Sequence, residues 1–244
     1  MPGDAPLRAL IVTDQRLIAE TITLTLNHGR YVARTTASLP DAIAALTEWQ
    51  PQVAIIDIDL GGVSLLQQIG LPPVRQSARI PILALTRRGD LKGKLAAFEH
   101  GVDDIMTVPF SPEELLVRTL VLTRRAYGVQ RGLLAVLQLG DLELDILNRV
   151  VRVRGSELHL TGLEQSLLYL LAANAGRVVT RDEILDALWG TDYVAESNIV
   201  DRHIRALRAK LQNDWRRPRF IATVPGRGYR FVPLLAEPEQ GEPA

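Results

Sequence analysis

Three oxygen-bearing side chains end apolar runs in the first half of this 244-residue chain. Asp14 follows one run, Asp57 ends the run V-A-I-I-D, and Thr86 ends the run I-L-A-L-T. Two carboxylates can hold Mg²⁺ together with water, and a hydroxyl can receive a phosphoryl oxygen. Because a single Asp at a strand end is more often a turn former or helix cap, only the combination of these residues indicates phosphoryl chemistry.

A second set of side chains, in residues 198–231, has the chemistry of a nucleic-acid reader. This segment carries nine Lys or Arg and two Asp, a net charge of +7, while the whole chain balances 28 basic against 28 acidic residues. Apolar residues recur there at helical spacing and predict one buried stripe, formed by Val200, Ile204, Leu207 and Leu211. An amphipathic helix with an outer face of Arg and Asn fits the major groove of DNA.

In the first half, five continuously apolar runs alternate with helical patterns, which predicts an α/β domain with a doubly wound, five-stranded parallel sheet. The strands are predicted at residues 8–13, 31–36, 53–57, 80–85 and 104–107, and the helices at 16–26, 40–49, 64–69, 91–100 and 112–127. Ligands bind such sheets at the carboxyl ends of the strands. One crevice there is expected to collect Asp14, Asp57, Thr86 and Val108.

The second half predicts an α+β domain of a different kind. A short antiparallel meander is expected over residues 137–161, followed by helices at 162–175, 180–189 and 197–212 and a hairpin at 220–232. Thr180 and Glu183 have the spacing of a capping box. We therefore assign one domain to residues 1–126 and the other to 136–235, with a linker at 127–135 and a disordered tail at 236–244.

Composition excludes several classes of site. The chain has no cysteine, so disulfides and thiolate metal sites are absent, and no apolar run is long enough to span a membrane. The sequence contains neither a nucleophile–base constellation nor a phosphate-binding glycine loop. We expect a cytoplasmic protein that has no contact with membranes and no enzymatic activity.

The motifs of nearly the whole chain resemble those of two-component response regulators of the OmpR/PhoB family. The first-half motifs are L-I-V-T-D, P-Q-V-A-I-I-D, P-I-L-A-L-T and G-V-D-D-I-M-T-V-P-F; the second-half motifs are V-V-T-R-D-E-I-L-D-A-L-W-G, I-V-D-R-H-I-R-A-L-R-A-K-L and T-V-P-G-R-G-Y-R-F. The resemblance implies a flavodoxin-like receiver followed by a winged helix-turn-helix domain. It also implies that Asp57 is the phosphoacceptor position, Asp14 a Mg²⁺ ligand and Thr86 the switch hydroxyl.

Three positions depart from the family pattern and predict an atypical, degenerate receiver. Thr13 stands where the family has the first of two adjacent acids, Val108 replaces the lysine that pairs with the phosphoryl group, and Ile105 replaces an aromatic switch residue. Asp59 and Arg87 are two candidates for compensating the lost acid and the lost positive charge. We expect weak phosphorylation or none, no required cofactor, and at most weak Mg²⁺ binding through Asp14 and Asp57.

The resemblance also implies a dimerisation face on the receiver. The predicted face comprises Lys94, Leu95, Phe98, Asp103, Asp104, Glu114, Leu115, Arg118 and Arg125. Ion pairs between protomers are expected for Lys94–Glu114 and Asp104–Arg118, around an apolar centre of Leu95, Phe98 and Leu115. Because these residues are present while the pocket departs from the family, a homodimer is expected to form without phosphate.

For the second domain, the resemblance makes residues 197–212 the recognition helix and residues 220–232 the wing. The predicted DNA contacts are Asn198, Arg202, Arg205, Arg208, Arg216, Arg217, Thr223 and Arg227. Arg208 has two interpretations, a phosphate contact or a side chain that folds back onto an acid. Arg227 lies near the wing tip, where a narrow minor groove attracts arginine.

The leading interpretation is a sequence-specific transcription regulator that binds double-stranded DNA as a dimer on tandem half-sites, with RNA polymerase as a further partner. One alternative is a conventional response regulator that a histidine kinase phosphorylates on Asp57. Another is a protein-interaction adaptor that binds RNA polymerase or non-specific DNA.

Overall fold

The structure is a computed structural model, and it divides into two compact units that are described separately. It describes the following residues: 5–27, 30–60, 66–67, 79–87, 91–128, 136–190, 198–211 and 216–232. The predicted helix at 64–69 lies mostly outside these ranges, as do nearly all of the predicted linker at 127–135 and the whole of the predicted tail at 236–244.

The first unit is built on a five-stranded parallel sheet with strand order β2-β1-β3-β4-β5. The strands are β1 (Leu7–Val12), β2 (Tyr31–Thr36), β3 (Val53–Asp57), β4 (Ile82–Thr86) and β5 (Asp104–Thr107). Every residue of β3 and β4 is buried, as expected for apolar runs covered on both faces. The doubly wound α/β prediction is confirmed.

The described helices of this unit are α1 (Arg16–Leu26), α2 (Leu39–Glu48), α3 (Leu91–Glu99) and α4 (Pro112–Tyr127). Ser38 and Ser111 cap the start of α2 and α4, since each hydroxyl accepts a hydrogen bond from the backbone N–H three residues later. Gly128, with a φ of 65°, ends α4 in the left-handed conformation. The packed helices leave the carboxyl ends of the strands as the edge where polar side chains meet.

The second unit begins with a four-stranded antiparallel sheet in sequential order. Its strands are β6 (Val136–Leu139), β7 (Leu142–Asp145), β8 (Val150–Val153) and β9 (Ser156–Leu158). The apolar pattern predicted one strand over residues 137–145, but Gly140, with a φ of 58°, makes a turn that divides it in two.

Three helices and a second antiparallel sheet follow along the chain. The helices are α5 (Gly162–Ala173), α6 (Arg181–Trp189) and α7 (Ile199–Lys210), and the sheet consists of β10 (Val178–Thr180), β11 (Ile221–Val224) and β12 (Gly228–Phe231) in the order β10-β12-β11. They belong to the second unit except for residues 185–189 of α6, which are assigned to the first. Strand β10 was not predicted, although its two valines and one threonine are β-branched. A Cβ at Gly228 would clash with the carbonyl oxygen of Val179 in β10, so glycine permits this strand pairing.

Local signals account for the helix ends and the core of the second unit. The predicted capping box is confirmed, because Thr180 N–H donates to Glu183 Oε2 at 2.7 Å and Glu183 N–H donates to Thr180 Oγ1 at 3.1 Å. The rings of Phe220 and Phe231 join the two wing strands to the core. Within the described ranges, no helix has the length and apolar character needed to cross a membrane.

Candidate receiver pocket and nucleic-acid interface

Asp57 lies at the carboxyl end of β3, and only 2% of its area is exposed. Among the described residues, three groups donate to its carboxylate: Thr13 Oγ1 at 3.1 Å, the backbone N–H of Asp59 at 3.1 Å, and Arg87 Nη2 at 2.9 Å. A buried carboxylate requires this kind of compensation, because burial disfavours an unpaired charge. The sequence pattern marks Thr13 only as the position of a missing acid, whereas in the structure its hydroxyl donates to Asp57.

Asp59 is held by the end of β4. Its carboxylate accepts from Thr86 Oγ1 at 3.2 Å and from the backbone N–H of Arg87 at 2.8 Å, and Arg87 Nη1 lies 3.6 Å from Asp59 Oδ2. The Arg87 guanidinium therefore bridges the two carboxylates. Of the two proposed compensating residues, Arg87 places its charge on Asp57, while Asp59 faces the Arg87 guanidinium and the Thr86 hydroxyl.

Two other predicted pocket residues take different positions. Asp14 follows Thr13 directly but has an exposed side chain. Val108 is buried, and its backbone N–H donates to the carbonyl oxygen of Thr86 at 2.9 Å. In the part of the chain that the structure describes, no three His, Asp or Glu side chains are grouped to hold a metal ion. A hydroxyl at residue 13 and a guanidinium on Asp57 Oδ2 do not fit a divalent cation.

The predicted dimerisation face contains ion pairs within one protomer. Arg118 Nη1 lies 2.6 Å from Asp104 Oδ2, and Arg118 Nη2 lies 2.8 Å from Glu114 Oε1. Asp103 pairs with Arg79 at 3.0 Å instead of facing outward alone. The Asp104–Arg118 pair expected between protomers is thus formed inside the chain.

Burial removes one residue from the predicted apolar centre. Leu115 has none of its area exposed, so it belongs to the receiver core and cannot form part of an exposed apolar centre. The resemblance implied its place on the dimerisation face, and the sequence could not show that this side of α4 turns inward. Leu95 and Phe98 are 54% and 48% exposed, and Val117, which was not predicted, is also exposed. Lys94 is half-buried and Arg125 is exposed.

Helix α7 separates a buried and an exposed face as predicted. The four residues of the predicted stripe are all buried, and so is Ile199. Asn198, Arg202 and Arg205 are exposed on the outer face of the helix. The helix packs against α5, which leaves this face outward for a groove.

Arg208 does not belong to this outer face. It is half-buried, and its Nη2 donates to the carbonyl oxygen of Ile221 at 3.0 Å and to Thr223 Oγ1 at 2.8 Å. The alternative in which Arg208 folds back is therefore the one observed, although it meets a carbonyl and a hydroxyl in place of an acid. Thr223, predicted as a phosphate contact, accepts this hydrogen bond. Burial lowers the pKa of the Arg208 guanidinium, partly offset by the charge interaction with Tyr229.

A cluster around Tyr229 connects α6, α7 and β12. The Tyr229 hydroxyl donates to Asp201 Oδ1 at 2.5 Å, and Arg181 Nε donates to the same oxygen at 2.8 Å. The guanidinium carbons of Arg181 and Arg208 lie 5.1 and 5.4 Å from the ring centre. Burial and the bond to Asp201 raise the pKa of Tyr229 from 10.0 to about 12. Sequence reasoning missed this cluster, whose members are distributed over 49 residues.

The remaining predicted DNA contacts are on the surface. Arg216 and Arg217 are exposed before β11, and Arg227 is exposed at the tip of the hairpin, where its N–H donates to Val224 O at 3.0 Å. Arg219, in contrast, pairs with Asp141 and lies over the Phe220 ring. The exposed positive side chains of the helix and the wing tip thus form the candidate interface.

Comparison with known proteins assigns both halves of the chain. Residues 9–120 match the family described as response regulator receiver domain, and residues 155–231 match the family described as transcriptional regulatory protein, C terminal. The chain is 31% identical over 226 residues to the DNA-binding response regulator MtrA of Mycolicibacterium smegmatis, covering 93% of this chain and 97% of that protein.

Two further similarities extend over both domains. The chain is 34% identical over 233 residues to the transcriptional regulatory protein TrcR of Mycobacterium tuberculosis, covering 94% of this chain and 88% of that protein. It is also similar to the crystal structure of DrrB, an OmpR/PhoB homologue of Thermotoga maritima, with 29% identity, a TM-score of 0.43, and coverage of 93% and 99% of the two chains.

Proposed function

Because this chain belongs to the OmpR/PhoB-type response regulators, we propose that it recognises specific DNA sequences as a dimer on tandem half-sites and is controlled without conventional aspartyl phosphorylation. Family membership makes it a DNA-binding transcriptional response regulator, and its relatives are regulators, not enzymes. The dimer, the half-sites and the mode of control are the proposal.

The exposed face of α7 is the observation that supports sequence-specific reading. Asn198, Arg202 and Arg205 stand on the outer face of a helix whose other face is anchored in the core. Amide and guanidinium groups make the bidentate contacts that distinguish adenine and guanine in the major groove. Arg227 at the wing tip would reach the neighbouring minor groove, while Arg216 and Arg217 would hold phosphates.

The Arg87 bridge is the observation that supports phosphate-independent control. Phosphoryl transfer depends on positioned cations that neutralise the developing charge. In this pocket the cation is already paired with Asp57 at 2.9 Å, and the Thr86 hydroxyl already donates to Asp59. An incoming phosphoryl group would have to displace both contacts. Val108 offers no replacement charge, and we propose that the protein requires no Mg²⁺ or other cofactor.

Incubation of the full chain with acetyl phosphate and Mg²⁺ tests the mode of control. The expected result, by intact-protein mass spectrometry, is far less than one phosphate per chain. The double variant Arg87→Ala, Val108→Lys is the matched comparison, because it frees Asp57 and restores a cation at the family position. Stoichiometric phosphate on Asp57 of the wild type, lost in Asp57→Ala, would refute phosphate-independent control and favour the conventional alternative.

Footprinting on genomic fragments tests the DNA-binding part. The expected footprint covers two directly repeated half-sites about one helical turn, or about 10–11 base pairs, apart. Arg205→Gln is expected to weaken protection, and Arg34→Gln, an exposed arginine of β2, serves as the matched control without effect. Absence of any protected sequence, with retained binding to RNA polymerase, would favour the adaptor.

Dimerisation is proposed through the exposed side chains Leu95 and Phe98 of α3, with Lys94 beside them. Phe98 is 48% exposed, and an aromatic ring of this kind contributes well to a self-complementary interface. Sedimentation of the unphosphorylated full chain is expected to show dimer at high micromolar concentration, and Phe98→Asp to shift it to monomer. Monomer alone in the wild type would refute this proposal.

RNA polymerase is the protein partner that we propose for the DNA-bound form. By the family resemblance, residues 190–196 are the loop that would face RNA polymerase, and all of them except Gly190 lie outside the described residues. Co-sedimentation of polymerase with the promoter-bound protein is the measurement that checks it.

A further inference from the structure

We propose that Arg208 is a positioning residue that holds the wing at a fixed angle to the recognition helix, and that it affects DNA binding through Arg227 at the wing tip and not through a contact of its own. This inference rests on the proposed DNA-binding function and assigns the wing its mechanical support. The residue lies on α7, and its partners lie on β11 and β12.

The contacts of Arg208 reach both strands of the wing. Its Nη2 donates to Ile221 O at 3.0 Å and to Thr223 Oγ1 at 2.8 Å, both on β11. Its guanidinium carbon lies 5.4 Å from the ring centre of Tyr229 on β12. The observed partners are a carbonyl, a hydroxyl and an aromatic face, so the guanidinium is oriented inward toward the hairpin and away from the exposed helix face.

A second contact joins the same hairpin to α7 closer to the start of the helix, at Asp201. The Tyr229 hydroxyl donates to Asp201 Oδ1 at 2.5 Å, and Asp201 is held from the other side by Arg181 Nε at 2.8 Å. Asp201 and Arg208 are seven residues apart, so they lie on one helix face, separated by about 10 Å along the axis.

The pairing of β12 with β10 and the buried rings of Phe220 and Phe231 hold the base of the hairpin, and the Tyr229–Asp201 bond holds β12 against α7. Arg208 adds hydrogen bonds to β11, the edge strand of this sheet, close to the turn that carries Arg227. Without these bonds, β11 and the position of Arg227 relative to the groove would have more freedom. Adding Arg208 removes this freedom before DNA arrives, which lowers the ordering cost of binding. Arg202 and Arg205 lie between the two attachments on the exposed side, so major-groove and minor-groove contacts are held in one register.

A double-mutant cycle on the full chain separates positioning from direct contact. The variants are Arg208→Gln, Arg227→Gln and the double variant, measured for affinity on the footprinted site. Arg227→Gln is expected to weaken binding by about tenfold in the wild type and by less than about twofold in the Arg208→Gln background, since coupled sites are non-additive. Additive losses would overturn the proposal.

Salt dependence provides a second criterion. Losing a phosphate contact lowers the slope of log K against log salt by about 0.9. In the Arg227→Gln background, Arg208→Gln is expected to leave this slope unchanged. Arg217→Gln is the matched control, because it removes an exposed arginine that is proposed to hold a phosphate, and it is expected to lower the slope and to add to Arg227→Gln. A drop of about 0.9 for Arg208→Gln would identify it as a phosphate contact.

Two further measurements keep the proposal testable if Arg208→Gln does not fold or if a variant does not bind DNA. Thr223→Val removes only one acceptor and keeps the charge, so it replaces Arg208→Gln in the cycle if that variant does not fold, with the same non-additivity expected. In the DNA-free full chain, Arg208→Gln or Thr223→Val should make hydrogen exchange faster than in the wild type in residues 221–231 and leave it unchanged in α5. Absence of specific binding by the wild type would refute the proposed function, while unchanged exchange would refute the positioning role.

Discussion

Replacing Arg87 by methionine should destabilise the receiver through the loss of one charge. The substitution keeps most of the side-chain stem and removes the guanidinium that bridges Asp57 and Asp59. Asp57 is 2% exposed and would be left as a buried carboxylate without a cation, whereas the Arg87 side chain is 25% exposed. Removing one member of a buried pair costs about 3–5 kcal/mol. Because Thr13 and the Asp59 N–H still donate to Asp57, we expect Arg87→Met to lower the free energy of unfolding by about 2–4 kcal/mol.

Native-state hydrogen exchange of the full chain measures this loss where it occurs. Opening of β3 and β4, which frame the pocket, should become about 30- to 1,000-fold more frequent, as each 1.4 kcal/mol corresponds to a factor of ten. Arg79→Met is the matched control: its side chain is 65% exposed and pairs with Asp103, so the expected cost is about 0–1 kcal/mol.

The two partners of this ion pair should differ in what their removal costs. Asp57→Asn should cost less than half as much as Arg87→Met, because Arg87 keeps Asp59 at 3.6 Å and retains access to water. If Arg87→Met proves no more costly than Arg79→Met, the bridge does not stabilise the pocket and the argument for a pre-neutralised Asp57 is refuted.

Three further predictions concern the second unit. Burial alone would raise the pKa of Glu164, but its hydrogen bonds, above all that from Lys210, lower the pKa below 4.5. The charged carboxylate therefore stabilises the fold above that pH, and this stabilisation is lost as the pH falls through the lowered pKa. In urea unfolding, Glu164→Gln should be less stable than the wild type at neutral pH, and this difference should vanish in acid. A deficit that persists in acid would contradict this. The pKa of Tyr229 is raised from 10.0 to about 12, so its hydroxyl should stabilise the fold fully below pH 10 and lose this effect between pH 10 and 12. Over that range, the difference in hydrogen exchange of the wing between the wild type and Tyr229→Phe should disappear. Gly228→Ala should separate β10 from β12 and lower the melting temperature of the second unit, with a cost of about 2 kcal/mol or more, while a neutral result would show that the backbone can shift at little cost.

Local pattern was sufficient for most elements and for the outer face of the recognition helix. All five receiver strands lie close to where the sequence predicted them, and the pattern was clearest for β3 and β4, because strands covered on both faces need apolar residues at nearly every position. The helical period of α7 correctly placed its stripe in the core. Strand β10 was missed because three residues are too few to show a period. Its partner strand β12 begins 48 positions after Thr180, so no local pattern announces the pairing.

The sequence pattern could not show which side chains meet residues that are distant in the chain. The family resemblance placed Leu115 in an exposed apolar centre, and only the packing of α4 against the sheet decided that this residue is core. Similarly, the sequence offered Arg208 as either a phosphate contact or an inward-folded residue, and Thr223, fifteen positions away, decided between them.

The sequence by itself determined the two-domain fold class, the position of Asp57 at a strand end and the arginine-rich face of α7, since each follows from residue type and period along a short segment. Tertiary structure alone decided that Arg87 reaches back 30 positions to neutralise Asp57, and that Arg208 supports the wing. The physical reason is that a long charged side chain can reach many partners, and only the assembled backbone determines which oxygen lies within hydrogen-bonding distance.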